Sequence, residues 1–459
     1  MMFVVFIAMI LIGYNVAFSF AATALLFSFI GDLTGTFNPA SLGTLPARWF
    51  GAVSDPTLLA IPFFVLMGAI LERSGLAERL LDAIGMLLGP LRGGVAAAVI
   101  IVGTLLAAAT GVVAATVIVM GLLSLPTMVR LGYDHKLATG AITASGTLAQ
   151  LLPPSLVLIL LAQQIGVGIL GLFAGALLPG LILSGMYVAY ALGISYLKPE
   201  VGPAMSPEDR TLKGKVLALE VLFSVVPILL LIIGVLVSIF TGIATPSESG
   251  AVGVAGALIL AVLSYFSDKV LLRMGAEHIE PRWRLTPSTL KAAGRSTANI
   301  SILVMTLLFA SSFFSLMFFQ LGGSDQTAEW LAAIGGGKTG FVIVAMIAVF
   351  LLGINLEFLE ITFIVVPIFV PAMELLGFTS LERIWFTVLM AVNLNMAFIS
   401  PPVGFSLFYL QSVAPPEVKT ADIHKGAIPF MVLQGIALVV LGVFPGIVQF
   451  SFEFFSLGV

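Results

Sequence analysis

A succession of long apolar stretches constrains this chain more than any other feature. Eleven of them follow one another along the 459 residues, and most exceed the roughly 20 residues that a helix needs to cross a bilayer. Only 9% of the residues are charged and the mean hydropathy is +1.16, so the chain lacks the polar surface of a soluble protein. We therefore expect an all-α polytopic membrane protein embedded in a lipid bilayer. The stretches lie near residues 3–30, 56–72, 93–123, 137–165, 167–197, 216–240, 247–267, 296–320, 341–370, 384–410 and 427–450.

The remaining composition excludes several classes of site. The opening stretch Met1–Ile30 has no basic start and no small-residue cleavage site, so we expect a first membrane segment rather than a signal peptide. The chain has no cysteine, which excludes disulfides and thiolate metal sites. Its net charge is −3 and it has no basic tract, so no nucleic-acid partner is expected.

Four segments depart from the pattern of simple membrane crossings. Leu76–Leu88 and Thr327–Ile334 mix polar and apolar residues, which predicts amphipathic helices in the membrane interface. The stretches at 93–123 and 341–370 are about 30 residues long and carry small or polar residues near their middles. We predict that each is a re-entrant hairpin, since irregular backbone at membrane depth is tolerated when it is buried in protein or lines a cavity.

The basic residues support this topology. With two hairpins, 17 of the 20 lysines and arginines fall on one side of the membrane and only Arg48, Lys338 and Arg383 on the other. Such a bias marks the cytoplasmic side, which would then hold the loops at 73–92, 124–136, 198–215, 268–295 and 411–426. The 17 residues are Arg73, Arg79, Arg92, Arg130, Lys136, Lys198, Arg210, Lys213, Lys215, Lys269, Arg273, Arg282, Arg284, Lys291, Arg295, Lys419 and Lys425.

An internal repeat runs through the chain. PTMVRLGY at Pro126–Tyr133 recurs as PAMELLGF at Pro371–Phe378, and each copy is preceded by a predicted hairpin and followed by two adjacent prolines. Five crossings separate the two copies in this topology, and an odd number makes the repeats inverted. Inverted repeats with matching interrupted helices are typical of secondary transporters. The expected divisions are 1–72 and 166–295 (scaffold), 73–165 and 296–410 (the two repeats), and 411–459 (a C-terminal loop and helix).

The double prolines explain what the interrupted helices could bind. Proline removes a backbone donor, so a helix broken there exposes carbonyl oxygens without partners. Together with hydroxyls, these oxygens suit a small cation, and helix N-termini suit a carboxylate. The candidates in the first repeat are Thr110, Gly111, Ser145, Gly146, Thr147 and Ser155. Those in the second repeat are Asn355, Glu357, Glu360, Thr362, Asn393, Asn395, Ser400 and Gly404.

Three glutamates have more than one reading. Glu357 and Glu360 lie three residues apart in an apolar stretch, where they could bind a cation, carry a proton, cap the hairpin or reach water. Glu248 follows Pro246 at the start of a span, which favours a role as a helix-start charge.

Four motifs, in order, carry a resemblance to a known family: LLAIPFFVLMGAILERSGLAERL, GTLAQLLPPS, GIATPSESGAV and NLNMAFISPPVGF. The chain resembles the large membrane subunit of tripartite ATP-independent periplasmic (TRAP) transporters over nearly its whole length. LEFLEITFIVVPIF and FYLQSVAPPEVKTADI look more like its mannitol/chloroaromatic or 2-oxo-acid branch.

The resemblance implies a sodium-coupled, elevator-type importer of an organic acid in the bacterial inner membrane. It implies two partners: a small four-helix membrane subunit, expected as a separate chain, and a periplasmic substrate-binding protein. Sodium is the only metal and no other cofactor is implied. Departures include a first hairpin tip reading AAATGVVAAT, where many relatives are serine-rich, and Ala149, where glycine is common.

The family's sites transfer to matching positions of this chain. The first sodium site would use Thr110, Ser145, Gly146, Thr147, Ala149, Leu152 and Pro154. The second would use Asn355, Glu357, Glu360, Thr362, Asn393, Ser400 and Pro402. The substrate would contact Ser155, Asn395 and Gly404.

Other function classes stay open at this point. A carrier of the same superfamily that needs no binding protein would show the same repeats, and a channel could also be built from hairpins. A membrane-embedded enzyme is disfavoured because the sequence has no H-E-x-x-H motif and no paired intramembrane aspartates.

Overall fold

The computed structural model describes residues 1–210, 212–274, 283–333 and 335–455. The expected all-α fold is confirmed, since these residues form 21 α-helices and two short 3₁₀ segments and contain no strand. Eight of the helices are long and apolar enough to cross a membrane unaided. Ile334, the expected end of the second amphipathic segment, and the basic residue Arg282 lie outside the described residues.

The helix bounds follow in chain order. The first ten helices are α1 (Met2–Ile12), α2 (Val16–Leu33), α3 (Leu45–Val53), α4 (Pro56–Arg73), α5 (Leu76–Leu88), α6 (Gly94–Thr110), α7 (Val113–Arg130), α8 (His135–Thr147), α9 (Leu156–Ile165) and α10 (Ile169–Leu197). The others are α11 (Gly214–Phe240), α12 (Pro246–Arg273), α13 (Pro287–Gln320), α14 (Gly323–Ala332), α15 (Gly337–Gly353), α16 (Phe358–Ile364), α17 (Val366–Leu375), α18 (Ser380–Phe398), α19 (Phe405–Gln411), α20 (Thr420–Val443) and α21 (Gly446–Phe455). The 3₁₀ segments are Pro39–Thr44 and Leu148–Gln150.

Side-chain caps fix several helix starts. Asp55 accepts a hydrogen bond from the Thr57 N–H at 2.8 Å and so begins α4. Glu248 accepts from the backbone N–H of Thr245 at 2.8 Å, and Thr245 accepts in return from the Glu248 N–H. This reciprocal capping box confirms the predicted helix-start role of Glu248.

The N-terminal apolar stretch is not the single span expected over residues 3–30. It divides into α1 and α2 at Gly13, whose φ of 101° lies in the left-handed region, and Asn15 caps α2. The Phe6 and Phe20 rings stack at 4.4 Å, so the two helices pack against each other. A left-handed glycine followed by a capping asparagine ends one helix and starts the next, and the apolar run conceals this signal.

The predicted hairpin at 93–123 is a pair of antiparallel helices, α6 and α7. They turn at Gly111, which has a φ of 62°. The open ends meet, because the Val95 N–H at the start of α6 donates to the Tyr133 hydroxyl just beyond α7 at 3.2 Å. Although α7 is long enough to cross a membrane, its chain therefore returns to the side from which α6 started.

One short stretch of backbone ties down both open ends of this first hairpin. The Gly93 N–H donates to the Gly202 carbonyl at 2.8 Å, and the Asp134 N–H donates to the Val201 carbonyl at 2.9 Å. Three loops thus meet on one face of the protein: those at 73–92, 124–136 and 198–215. The basic residues assign all three to one side of the membrane.

The predicted hairpin at 341–370 is also present, in three pieces. Helix α15 leads to a tip at residues 354–357, and α16 and α17 return with a bend of 42° between them. Near the open end, the Phe341 ring packs against the rings of Phe369 and Phe378 at 5.8 and 5.7 Å. Lys338 and Glu382 form an ion pair of 2.7 Å at the same end.

The two hairpins enter from opposite faces of the protein. Contacts near the two ends of α4 show this. A Cβ atom on Gly68 would contact Thr110 at the tip of the first hairpin, whereas Asp55, just before α4, accepts from the Gln163 amide at 3.3 Å. Pro367 of the second hairpin lines the same cleft as Gln163. The body of that hairpin therefore lies on the Asp55 face, away from the open end of the first. The predicted inverted repeat is confirmed.

Helix packing shows which elements of the chain lie together. Helices α11 and α12 pack against α4 and α5, as a scaffold should. Helix α10, which the expected division places with them in 166–295, packs against α6, α9, α18 and α20. Helix α20 packs along α8. We therefore place α10 and α20 in one group with the hairpins and the broken helices, and call this the hairpin group.

Two glycines allow the close contact between α20 and α8. A Cβ atom on Gly426 would contact the carbonyl of Lys136 and would lie 2.6 Å from the Thr139 hydroxyl oxygen. A Cβ atom on Gly140 would contact the carbonyl of Gly426. Backbone therefore touches backbone here, as is common where membrane helices pack through small residues.

A buried charge cluster fastens the first amphipathic helix, α5, to the scaffold. The Arg79 guanidinium donates to both Glu220 carboxylate oxygens, at 2.6 and 3.0 Å, and to Ser267 Oγ at 2.6 Å. It also pairs with Asp268 at 3.1 Å, and Arg284 reaches the other oxygen of Asp268 at 3.4 Å. Arg79, Glu220 and Asp268 are at most 6% exposed. Arg79, one of the 17 basic residues predicted on the cytoplasmic side, is thus buried and fixes α5 to α11 and α12.

Candidate functional site

The first helix break lies between α8 and α9. Residues 148–150 tighten into a 3₁₀ turn, and residues 151–155 are irregular. Pro153 and Pro154 have no N–H to offer. No donor among the described residues bonds to the carbonyls of Leu152 or Pro154. Both residues are buried, so these oxygens are available to a ligand inside the protein.

The tip of the first hairpin sits directly against this break. A Cβ atom on Gly111 would lie 3.1 Å from the Leu156 nitrogen and 3.4 Å from the Pro154 oxygen. Glycine is needed there for both its left-handed φ and its small size. The Thr110 hydroxyl lies 2.9 Å from that of Thr116 across the turn. The structure thus brings Thr110 and Pro154, two of the predicted sodium ligands, to one place.

Other predicted ligands of the first sodium site lie deeper along the hairpin. The Ser145 side chain contacts Gly103, seven residues before Thr110, which is about 10 Å along α6. Gly146 packs against Val117 of α7. The Ser145 and Thr147 hydroxyls donate to carbonyls of their own helix at 3.2 and 2.8 Å. The Thr147 hydroxyl also accepts from the Gln434 amide of α20 at 3.4 Å. Each hydroxyl oxygen can accept a further contact, but this group is separate from the tip.

Ala149 and Ser155 both belong to the break. The buried Ala149 lies in the 3₁₀ turn. The Ser155 hydroxyl donates to the Gln150 carbonyl at 3.0 Å and accepts from the Val157 N–H at 3.2 Å. Ser155 therefore caps α9, and its hydroxyl is already engaged on both sides.

Gln150 is a site residue that the sequence reasoning missed. Its side chain is fully buried, and neither atom of its amide group has a hydrogen-bond partner among the described residues. An unpartnered buried amide is costly, so it points to a ligand. A polar side chain in the apolar run three residues before the double proline was the available signal.

The second break, between α18 and α19, has the same construction. Pro401 and Pro402 interrupt the chain, and Ser400 is 4% exposed. A Cβ atom on Gly404 would lie 2.9 Å from the Ser400 oxygen and 3.0 Å from the Phe398 oxygen. The φ of 41° at Gly404 also requires glycine, so this residue shapes the loop through its backbone.

The tip of the second hairpin is built around its glutamates. The Glu357 N–H donates to the Glu360 carboxylate at 3.0 Å in a capping box that starts α16. The Tyr409 hydroxyl of α19 donates to the Glu357 carboxylate at 3.4 Å. Both glutamates are half-buried, while Asn355 is exposed. These contacts fit the capping role for the two glutamates, at the start of α16.

Deeper polar residues of the second repeat are buried. The Thr362 hydroxyl donates to the Phe358 carbonyl at 2.7 Å. The Asn393 amide donates to the Met346 carbonyl at 2.6 Å, and its own oxygen has no partner among the described residues. Asn395 and Ser406 are fully buried, and their polar side-chain atoms have no partner among the described residues.

The two repeats interlock around these breaks. Helix α7 of the first hairpin packs against α19, and α16 and α17 of the second hairpin pack against α9. The 3₁₀ turn that carries Gln150 packs against α18, which carries Asn395. Elements that carry unpartnered carbonyls and amides thus pack against one another across the two repeats. Such an arrangement can bind a small hard cation and a polar anion.

Comparison with known proteins identifies the family. The model of the tripartite ATP-independent periplasmic transporter, DctM component, matches residues 3–447. The C4-dicarboxylate TRAP transporter large permease protein DctM of Pseudomonas aeruginosa is 28% identical over 412 residues, which cover 90% of each chain. Its namesake in Vibrio cholerae is 27% identical, over 97% of this chain and 95% of its own. The sialic acid TRAP transporter permease SiaT of Haemophilus influenzae is 25% identical, over 86% of this chain and 59% of its own.

A solved structure supports the fold. The crystal structure of the Alcanivorax borkumensis YdaH transporter matches with a TM-score of 0.58 at 14% identity, over 94% of this chain and 98% of that one. Since the family model spans almost the whole sequence, this chain belongs to the DctM family of large permeases of tripartite ATP-independent periplasmic transporters.

Proposed function

We propose that this permease imports an organic acid across the bacterial inner membrane, coupled to sodium and by an elevator motion of the hairpin group. A periplasmic binding protein delivers the substrate, and a small four-helix membrane subunit completes the transporter. The named relatives carry C4-dicarboxylates and sialic acid, which are organic acids. The branch of the family and the particular acid stay predictions, and the loops at 73–92, 124–136, 198–215, 268–295 and 411–426 are assigned to the cytoplasm.

One observation carries the sodium coupling: buried oxygen atoms that have no donor among the described residues, at the first break and in α18 of the second repeat. The carbonyls of Leu152 and Pro154 lie beside the first tip without donors, and Asn393 retains an unpartnered buried oxygen in the second repeat. Carbonyl, amide and hydroxyl oxygens are the ligands that hard cations take. Among the described residues, no cluster of three or more histidines, aspartates or glutamates could hold a metal ion.

The distribution of charge supports the same conclusion. No lysine or arginine occurs in residues 94–129, 137–197, 339–382 or 384–418, which include both hairpins and both breaks. A carboxylate that enters this region meets no cationic side chain from these segments, yet a buried charge needs a partner. A bound sodium ion would supply that charge, which makes binding of the acid depend on sodium. Each positive charge carried inward contributes about 2.3 kcal/mol per 100 mV of membrane potential.

The packing supports an elevator motion. Helix α5 is fixed to α11 and α12 by the Arg79 cluster, and the hairpin group meets this scaffold where α6 packs against α4 and α5. Where the two groups meet at the first tip, α4 presents Gly68 to Thr110. The glycine lets the backbones of the two groups approach closely at this point. In this proposal α4 and α5 stay fixed while the hairpin group carries both ions and acid.

We expect sodium to stabilise the purified permease specifically. Thermal unfolding in detergent would be followed in sodium, potassium and choline chloride at matched ionic strength. A ligand that binds only the folded state adds RT ln(1 + [L]/Kd), about 2.7 kcal/mol at 100 times Kd. A saturable rise of the midpoint in sodium alone is the expected result. Equal midpoints in all three salts would contradict sodium coupling and would redirect attention to Glu357 and Glu360 as proton carriers.

The double variant Ser145→Ala, Thr147→Ala tests the deeper ligands of the first site. If these hydroxyls bind sodium, the sodium concentration at half-maximal stabilisation should rise about tenfold or more while the protein stays folded. Ser184→Ala is the matched control, because Ser184 is a buried serine of α10 that lies 2.8 Å from the Thr104 hydroxyl and outside both breaks. An unchanged sodium midpoint in the double variant would contradict sodium binding by the Ser145 and Thr147 hydroxyls. The hairpin tip and the backbone carbonyls would then be the remaining proposed ligands of the first site.

A further inference from the structure

A cleft of about 320 Å³ opens on the Asp55 face, between two groups of helices. One wall comes from α3 and α13, which pack against each other and against α4 of the scaffold. The other wall comes from α9 and α17 of the hairpin group. None of the described residues that line the cleft belongs to either helix break. The cleft therefore lies between the parts that the proposed elevator motion moves past each other, away from both breaks.

Arg48 gives this cleft a positive charge that no carboxylate of the described residues balances. The other two basic residues predicted on the same side of the membrane are paired, since Lys338 lies 2.7 Å from Glu382 and Arg383 lies 3.7 Å from Glu374. Arg48 is exposed and forms no ion pair within the described part of the chain. The described lining of the cleft contains no aspartate or glutamate. A cleft lined by one sign of charge concentrates ions of the opposite sign.

The residue next to Arg48 fixes its helix in place. The Trp49 indole N–H donates to the Ser312 hydroxyl at 2.9 Å and to the Phe309 carbonyl at 3.2 Å. These bonds tie the short helix α3 to the long helix α13. The backbone of Arg48 is thus held at the exposed end of the cleft.

The remaining polar lining can bind an anion beside the guanidinium. Ser311 and Ser315 lie one helical turn apart and therefore share one face of α13. On the opposite wall, the Gln163 amide donates to Asp55 at 3.3 Å, and the Gln164 amide is half-buried. Hydroxyls and amides donate to carboxylate oxygens, and a guanidinium binds a carboxylate in a charge-assisted, often bidentate pair. The lining therefore suits a small carboxylate.

We propose that this cleft is an outer capture site, where Arg48 binds a carboxylate of the acid before the acid enters the hairpin group. This inference rests on the proposed function. Capture needs no sodium, because Arg48 itself supplies the counter-charge. The segments that form the hairpins and breaks contain no lysine or arginine, so an acid that leaves Arg48 must find a new counter-charge there. Movement inward is therefore favoured only when sodium is already bound.

The absence of cysteine from the chain allows the cleft to be tested with a single reporter thiol, Ser315→Cys. Its rates of modification by an anionic and a cationic methanethiosulfonate, the ethylsulfonate and the ethyltrimethylammonium, are measured on the purified permease in detergent. The ratio of the two rates cancels any change in the thiolate fraction. Arg48→Gln should lower the anion-to-cation ratio at least about fivefold, because one charge acts on the two reagents in opposite directions. Arg48→Lys should keep the ratio.

A second reporter and a control complete the labelling experiment. Val370→Cys reports from the opposite wall of the cleft and should respond to Arg48→Gln in the same direction. Thr241→Cys is the control, since Thr241 is exposed in the turn between α11 and α12 and does not line the cleft. Its ratio should not respond to Arg48→Gln.

Competition shows whether Arg48 binds a carboxylate or only attracts negative charge. Succinate, used as the carboxylate probe, should slow the anionic reagent at Ser315→Cys in a saturable manner and more than chloride does at equal ionic strength. Arg48→Gln should abolish this protection. The comparison is repeated in nanodiscs of zwitterionic and of anionic phospholipid, because a lipid phosphate can bind the same guanidinium. Protection that disappears in the anionic discs would assign Arg48 to a lipid and overturn the proposal.

The remaining outcomes separate this inference from the proposed function. A labelling ratio that Arg48→Gln leaves unchanged, or equal protection by succinate and chloride, overturns the capture site. So does a lack of reaction at both Ser315→Cys and Val370→Cys. None of these measurements requires sodium. If sodium fails to stabilise the permease, the proposed function is contradicted, and charge-selective labelling with succinate protection would still support an outer anion site at Arg48.

Discussion

Replacing Arg79 with leucine is expected to lower the free energy of unfolding by about 3–5 kcal/mol, because the change leaves buried carboxylates without their main counter-charge. Glu220 is 3% exposed and Asp268 is 1% exposed, so water cannot compensate. Glu220 would lose its bidentate partner, and Asp268 would keep only the contact of 3.4 Å to Arg284. Detergent-solubilised variants compared by thermal and denaturant unfolding would measure the loss.

Two further variants distinguish a buried charge effect from a general effect of losing arginine. Arg383→Leu removes an arginine whose partner Glu374 is 3.7 Å away and largely exposed, so the change should cost under about 1 kcal/mol. The double variant Arg79→Leu, Glu220→Leu should recover much of the lost stability, because it removes the stranded charge together with its partner. A cost of less than about 1 kcal/mol for Arg79→Leu alone would refute the anchoring role of the cluster.

The second large effect is expected from Gly426→Val. The new side chain would collide with the Lys136 carbonyl and the Thr139 hydroxyl, and both belong to the rigid helix α8. Overpacking of this kind typically costs about 1–3 kcal/mol and more when backbone must move. Because α8 leads into the first break, a displaced α20 should also weaken sodium binding. Unfolding midpoints with and without sodium would report both effects.

The same helix supplies a control. Gly442 also lies in α20, but a Cβ atom there would meet no atom of the described residues within 4 Å. Gly442→Ala should therefore gain up to about 1 kcal/mol from helix propensity alone. If Gly442→Ala and Gly426→Val destabilise equally, tight packing between α20 and α8 cannot be the cause.

Much of the fold was predictable because periodicity and charge are local signals. The two hairpins followed from the length of their apolar stretches, from small or polar residues at their middles and from the placement of 20 basic residues. The inverted repeat followed from short matching motifs and the paired prolines. By contrast, the division of α1 from α2 depends on one backbone angle at Gly13, within a run whose hydropathy is continuous.

The candidate site was predictable only in outline. The double prolines located both breaks, but the pairing of Arg79 with Glu220 joins residues 141 positions apart, and no local pattern encodes it. Gln150 looks like an ordinary polar interruption until its burial and lack of partners are known. Conversely, Ser155 and Glu360 have the residue types of ligands, yet their side chains bond to the adjacent backbone.

The attachment of the first hairpin has a mechanical consequence. Both of its legs are hydrogen-bonded at the open end to residues 201 and 202, so that end is a pivot and the tip, which packs against Gly68 and the first break, is the far end of a lever. Helix α6 has 17 residues, which gives the lever a length of about 25 Å. A rotation of about 10° at the pivot would move Gly111 about 4 Å away from Pro154, more than the length of a hydrogen bond. Small rearrangements at the 201–202 backbone, far from any ligand, would thus be amplified into opening or closing of the first break.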